Sequence, residues 1–235
     1  MEFKEFKKIP RLSRDIIVTE KIDGSNGQIC ITDFSMDEDY CDRVFIDNET
    51  TSITLNSLGY DFVNNFCLGK KQLSEYHYLY MFAGSRNRWL QIGKQTDNMA
   101  FATWVKENAE QLFELGKGCH YGEWYGKGIQ RGYGLEEKRF ALFNVSKWQN
   151  KNLPLVDEKQ KYPPSCCEVV PILYEGEFCT ETINVVLGFL IVAGSRAVPG
   201  YMNPEGIVVF HTASGQYFKK TILNDEKPKG VTNGN

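Results

Sequence analysis

The sequence predicts an α+β fold. β-like runs end at glycine-rich turns, and two segments repeat apolar residues at helical spacing. The two kinds of segment mix without the regular strand–helix–strand order that a parallel sheet needs. The span Arg14–Ile31 reads as strand, loop and strand: a β-branched run from Asp15, a polar turn with Gly24 and Gly27, then Gln28 to Ile31. Tyr78–Phe82 reads as a strand leading into a loop from Gly84 to Arg88. A helix is expected over Asp97–Leu115, with Asp97 as N-cap, Phe101, Val105, Leu112 and Phe113 at helical spacing, and Gly116 as the stop. His120–Tyr125 and Arg139–Val145 read as strands. A second helix is expected over Thr180–Leu190, its core face formed by Ile183, Val186, Leu187 and Leu190. Gly206–His211 and Gln216–Ile222 flank Thr212 to Gly215 as a hairpin. One domain is expected over residues 1–223, followed by a polar tail over residues 224–235.

Composition narrows the function classes. The chain has 235 residues, 42% hydrophobic and 24% charged, which fits an ordinary folded protein. No apolar run approaches the ~20 residues of a membrane helix, and the start lacks the apolar core of a signal peptide. The seven cysteines form no Cys-x-x-Cys pair, and Cys166 and Cys167 are adjacent. That argues against a disulfide framework or a structural zinc site and for a reducing cytoplasm. His77, His120 and His211 are scattered, so no metal role is assigned to them. A net charge of −3 does not suit non-specific binding along a long duplex. Any nucleic-acid contact is expected to be a local positive patch with a short footprint, such as a strand end or a nick.

Chemistry concentrates in Thr19 to Gly27. Lys21 follows a β-branched run and precedes a glycine-rich turn, an arrangement that projects an amine from a strand end. Such an amine is a nucleophile only when neutral, and the ordinary lysine pKa is about 10.4. Burial, a neighbouring cation or a bound metal ion would have to favour the neutral form.

The string Lys21-Ile-Asp23-Gly24 resembles motif I of the covalent nucleotidyltransferases: DNA ligases, RNA ligases and mRNA capping enzymes. Further segments follow in that superfamily's order. Ser85 to Arg88 resembles motif Ia, and Tyr121 to Arg131, with Glu123, Lys127 and Gln130, resembles motif III. Phe140 to Val145 resembles motif IIIa, Pro204-Glu205-Gly206 motif IV, and Tyr217 to Thr221 motif V. Asn26, five residues past Lys21, and the glycine-rich segment from Gly122 to Phe143 are similar to the RNA ligase 2 branch of phage RNA ligases. Asp23 keeps the general superfamily form, where that branch also uses histidine. Only 15 residues follow Lys220, so no separate C-terminal domain is expected, unlike many superfamily members.

The resemblance implies an adenylation domain of antiparallel sheets flanked by helices around an ATP cleft. It implies ATP as cofactor with Mg2+, which Mn2+ can replace, and a lysyl-AMP intermediate on Lys21. It also implies that Glu20 meets the adenine edge through its backbone, that Asn26 and Arg86 contact the nucleotide, and that Phe143 stacks on adenine. Phe140 and Leu142 alternate with Phe143, so register decides which ring lines a site. Glu123 and Glu205 are the candidates for ribose contact or metal binding. Lys219 and Lys220 are adjacent, so at most one faces a ligand; Lys219 is the choice for the α-phosphate and Lys220 the neighbouring candidate.

Arg88, Lys127 and Arg131 are expected on the nucleic acid. With Lys138, Arg139 and Lys147 the last two make a basic cluster near Tyr125 and Trp148, rings available for base stacking. Expected partners are RNA ends or a nicked duplex, DNA as the alternative, and a separate end-healing or accessory protein, in a phage or bacterial host cytoplasm. A small DNA ligase, a capping guanylyltransferase and a module that only binds nucleic-acid ends stay open as rivals.

Overall fold

The computed structural model describes residues 3, 5–6, 8–35, 44–45, 52–53, 58–75, 77–223 and 225. Its elements in chain order are β1 (Asp15–Lys21), β2 (Ser25–Ser35), β3 (Val44–Phe45), β4 (Ser52–Ile53), α1 (Leu58–Phe66), β5 (Cys67–Ser74) and β6 (His77–Gly84). There follow α2 (Phe101–Glu107), α3 (Ala109–Leu112) with a closing 3-10 turn (Phe113–Leu115), β7 (Gly118–Gly126), β8 (Lys138–Leu142) and β9 (Cys167–Val169). β10 (Ile172–Glu177), α4 (Thr180–Ala193), β11 (Gly206–His211) and β12 (Gln216–Thr221) complete the set. The class is α+β. The chain divides into two compact units, Met1–Asp23 with Val170–Asn235, and Gly24–Val169. The boundary between Asp23 and Gly24 falls inside the lysine motif.

The first unit is an antiparallel sheet in the order β10-β1-β11-β12. Its core follows from strand alternation. Ile16 and Val18 of β1 and Ile207 and Val209 of β11 are buried together with Leu190 of α4. Ile183, Val186 and Leu187 pack against the same cluster, so α4 uses the face its periodicity indicates. The helix runs three residues beyond the expected Leu190, to a stop at Gly194, whose N–H bonds the Leu190 carbonyl.

The second unit carries a six-stranded sheet in the order β5-β6-β2-β7-β8-β9, antiparallel except for β8 and β9. β3 and β4 form a separate ribbon. Phe101 and Trp104 of α2 meet Trp124 of β7 and Phe140 of β8, with ring centroids 5.1–5.8 Å apart. These four aromatic rings close one face of the sheet under α2.

Two expectations change. The single helix over 97–115 is broken: α2 begins at Phe101, and the chain pauses at Asn108 (φ −105°, ψ 13°) before α3. Asn108 turns its side-chain amide to the Trp104 carbonyl, a local bond that competes with helix continuation. Asp97 still serves the helix start from outside. Its carboxylate accepts the N–H groups of Ala102 and Thr103 and the Thr103 hydroxyl. Cys30 and Cys119, directly opposed on β2 and β7, form a disulfide across 89 residues, which spacing along the chain did not suggest. The polar tail, apart from Asp225, lies outside the described residues. Among the described residues no helix is long and apolar enough to cross a membrane.

His120 of β7 is buried, and one ring nitrogen donates to the Gly116 carbonyl at 2.9 Å. Burial, reinforced by the Lys147 charge, lowers its pKa to about 4 from the ordinary 6.5. The unfolded chain therefore binds a proton that the fold refuses between those two values. Native stability should fall as pH drops from 6.5 toward 4, by about 3 kcal/mol from this residue. Urea titrations of the native protein and His120→Gln across that window check it. The variant should lose less stability on acidification, and parallel curves would count against the assignment.

Candidate active site

Lys21 ends β1, and its register partner on β11 is Gly206. That pairing places the residue before Gly206 beside the amine. The Lys21 Nζ donates to Glu205 Oε2 at 2.6 Å, with side-chain exposures of 18% and 4%. Two residues 184 apart in sequence thus form a mostly buried ion pair. Gly206 has φ +156°, and a Cβ there would sit 2.2 Å from the Lys220 carbonyl oxygen. A side chain at 206 would push β12 away from β11.

β12 continues the register. Val208 faces Lys219 and Ile207 faces Lys220, while on the other side of β11 Val208 faces Thr19 and Ile207 faces Glu20. Directly paired residues share a sheet face. Lys219 therefore lies on the Lys21 face. Lys220 lies on the opposite face, in the row of Glu20 and the buried Ile207.

Glu20 is 1% exposed, so its carboxylate must be paired inside the protein. It accepts the Ser195 hydroxyl at 2.6 Å and the backbone N–H groups of Arg196 and Ala197 at 2.6 and 2.9 Å. Burial raises its pKa, and those three donors oppose the rise. Its own N–H donates to the Pro171 carbonyl. Ser195 has no signal in the sequence reading, because its partner is 175 residues away.

In the second unit, Asn26 and Glu123 are register partners on β2 and β7, and the Asn26 amide lies 3.4 Å from the Glu123 carboxylate. Phe143 follows β8 with its N–H on the Tyr121 carbonyl and its ring partly exposed. Phe140 and Leu142 are buried, which settles the register: Phe143 belongs to the polar face that also carries Glu123. Gly24 sits against β7, where a Cβ would lie 2.4 Å from the Trp124 carbonyl oxygen. The glycine after Asp23 is thus required by a close backbone approach. In the loop after β6, the Ser85 N–H bonds the Arg88 carbonyl, Arg86 is exposed, and the Arg88 guanidinium turns to the Gln95 carbonyl.

The basic cluster is corrected in two respects. Tyr125 and Trp148 are 0% and 2% exposed, so neither ring is available to stack on a base. Tyr125 donates its hydroxyl to Glu168 instead, and burial with that carboxylate pushes its pKa well up. Several of the cations are also neutralised locally. Lys127 pairs with Glu136, and Arg139 with Glu137 and Glu168. Lys138 donates to the Met99 carbonyl and Lys147 to the Leu115 carbonyl. Arg131 is partly buried.

For a hard divalent cation the available donors are carboxylate oxygens, which suit Mg2+ or Mn2+. Among the described residues no group of three or more His, Cys, Asp or Glu side chains gathers to hold a metal alone. Such an ion would complete its shell with phosphate oxygens and water.

A family model described as RNA ligase matches residues 14–221. Similar solved structures come from Naegleria gruberi. One is an RNA ligase lysine-to-alanine mutant with ATP and Mn, at 16% identity, covering 87% of this chain and 48% of that chain with a TM-score of 0.44. A lysine-to-methionine mutant with AMP and Mn gives 17%, 89%, 50% and 0.44. The RNA ligase with PPi gives 18%, 88%, 49% and 0.43. The chain spans about half the length of these proteins. A comparison with curated proteins gives no match.

Gly24→Ala should destabilise the second unit by about 1–3 kcal/mol, because its Cβ would meet backbone rather than a side chain that can rotate away. Chemical denaturation monitored by tryptophan fluorescence checks this. An unchanged midpoint would mean that the approach to β7 is not as close as described.

Proposed function

The chain belongs to the RNA ligase family, and from that premise we propose that it is an ATP-dependent ligase joining RNA 5′-phosphate and 3′-hydroxyl ends through lysyl-AMP on Lys21. The observation that carries this reading is the Lys21–Glu205 ion pair, which joins motifs I and IV in a mostly buried setting. A surface lysine would be solvated and mobile. This one is held at a fixed position.

The reaction has three steps. Lys21 first loses one proton to solvent, its Nζ lone pair attacks the α-phosphorus of ATP, the bond to pyrophosphate breaks, and a second proton leaves to solvent so that the phosphoramidate keeps one N–H. A 5′-phosphate oxygen then attacks the same phosphorus and Lys21 leaves, reprotonated. A 3′-hydroxyl finally attacks the activated 5′-phosphate, AMP departs and a phosphodiester forms. An ammonium has no lone pair, so the pairing with Glu205 orients the amine at rest and must loosen before attack. Lys219, on the Lys21 face, is the cation for charge building on the α-phosphate. Lys220, on the other face, is the lesser candidate.

The remaining roles rest on the family and on the face each residue occupies in its own unit. Phe143, partly exposed, is the adenine platform. Asn26 and Glu123 are a polar pair suited to ribose hydroxyls. The Glu20 N–H donates to the Pro171 carbonyl, and the Glu20 backbone is assigned to the adenine edge. A divalent cation, when bound, would polarise the phosphate oxygens; Glu205 in the first unit and Glu123 in the second are each a candidate carboxylate for it. Arg86 is assigned to the nucleotide or the nucleic-acid phosphate, and Arg88, Lys127 and Arg131 to the nucleic acid. The exposed Lys127–Glu136 pair is weak enough to open for a phosphate.

Mass spectrometry of the protein with ATP and Mg2+ should show one added AMP on the peptide holding Lys21. Lys21→Ala should show none. Lys219→Ala should slow the transfer about 10²- to 10³-fold, and Lys220→Ala much less. Adduct from GTP alone, or an undiminished adduct in Lys21→Ala, would overturn the proposal. Nicked duplexes with RNA or DNA on the 3′-hydroxyl side then decide between RNA and DNA joining.

A further inference from the structure

The segment between α4 and β11 has no element of its own, yet it ends in Glu205. Glu20 holds its first turn, and the Ile222 N–H bonds the Glu205 carbonyl at its last residue. Gly194 ends α4, and the next turn closes on itself: the Ser195 N–H bonds the Tyr201 carbonyl at 2.8 Å and the Val198 N–H bonds the Ser195 hydroxyl at 3.0 Å. The Glu20 carboxylate enters that turn. One oxygen takes the Ser195 hydroxyl and the other takes the N–H groups of Arg196 and Ala197. Ser195 is 2% exposed and Glu20 1%. Neither contact is a surface ornament, because a buried carboxylate without donors would be strongly destabilising.

Glu20 precedes Lys21 on β1, and strand alternation sends their side chains to opposite faces. The turn held by Glu20 leads through Pro204 to Glu205, which meets Lys21 on its own face. The backbone of β1 is thus tied twice to the segment 194–205, once by Glu20 behind the sheet and once by Lys21 in front. We propose that Glu20 and Ser195 are positioning residues for adenylyl transfer, fixing the 194–205 segment so that Glu205 stands at bonding distance from Lys21. Neither side chain touches the reacting atoms. The inference rests on Lys21 being the acceptor of the adenylyl group.

The role is one of hydrogen bonds rather than of charge, and this makes it testable. In Glu20→Gln the amide oxygen still accepts the N–H groups of Arg196 and Ala197, and the NH2 can donate to the Ser195 oxygen. Glu20→Ala removes all three bonds. Ser195→Ala removes one hydroxyl from the same tie and spares the fold if Glu20→Ala does not fold.

The experiment is single-turnover formation of the AMP adduct over a range of ATP concentrations, with hydrogen exchange on residues 194–205 in the ligand-free protein. Glu20→Ala and Ser195→Ala should lower the maximal rate about 10- to 100-fold. Half-saturating ATP should change less than about threefold, because the defect lies in aligning the attack and not in binding. Both variants should exchange the Arg196, Ala197 and Val198 amides faster than wild type, and Glu20→Gln should keep close to the wild-type rate. The inference is overturned if the alanine variants react at the wild-type rate, if ATP affinity falls in place of the maximal rate, or if Glu20→Gln is as slow as Glu20→Ala. A wild-type protein that takes up no AMP overturns the reading of Lys21 itself, a different outcome from a wild type that reacts and variants that do too.

Discussion

Alternation along the last two residues of β1 sets two charged side chains on opposite faces of one sheet. Glu20 goes into the interior, where three donors from a single turn meet it. Lys21 goes to the other face, where Glu205 meets it. Each burial is tolerable only because its partner is supplied by a distant part of the chain. The register of β1 with β11 makes both partnerships hold together. A slip of one residue would exchange the faces, turning Lys21 toward Leu190, Ile207 and Val209, sending Ile16 and Val18 out of the core, and setting the Glu20 carboxylate opposite Gly206.

The same constraint gives each position of the lysine motif its own cause. Lys21 ends the strand. Ile22 is 3% exposed and anchors the chain as it leaves the sheet. Asp23 is nearly buried, and Gly24 must lack a Cβ because the Trp124 carbonyl is too close. Gly206 answers from β11 with a backbone that only glycine adopts readily. The short string therefore carries an electrostatic demand at Lys21, a packing demand at Ile22 and a steric one at Gly24.

Much of this was legible in the sequence, and the exceptions have physical reasons. β1, β2, β6, β7, β8 and β11 announce themselves because their buried faces are apolar or aromatic, and β12, exposed along most of its length, because it follows a glycine-containing hairpin turn. β5, β9 and β10 do not, and each is the edge of a sheet. β5 carries Lys70, Lys71 and Gln72, and β10 carries Glu175 and Glu177, the kind of charged edge that blunts unwanted pairing. Phe143 could not be separated from Phe140 by pattern, since both fit a strand, and only the contacts with Trp104 and Phe101 assign Phe140 to the core. The stacking role given to Tyr125 and Trp148 failed because proximity in sequence to basic residues says nothing of which face a ring occupies. Ser195 was invisible because nothing local marks a hydroxyl whose partner is 175 residues distant.

The ion pair that makes Lys21 orderly also opposes the chemistry proposed for it. A lysine engaged as an ammonium with a buried carboxylate is a stable resting arrangement, and attack requires that arrangement to be given up. A rigid cradle is useful under that conflict. If Glu205 moved freely, the amine would lose its orientation whenever the pair loosened, and the alignment would have to be found again at each turnover. With the turn behind the sheet held by Glu20, Glu205 has one place to return to. The cost of breaking the pair then falls on the approach of phosphate and cations, which supply new charges to both partners. The opening of the pair is thereby coupled to the arrival of the substrate that the amine is to attack.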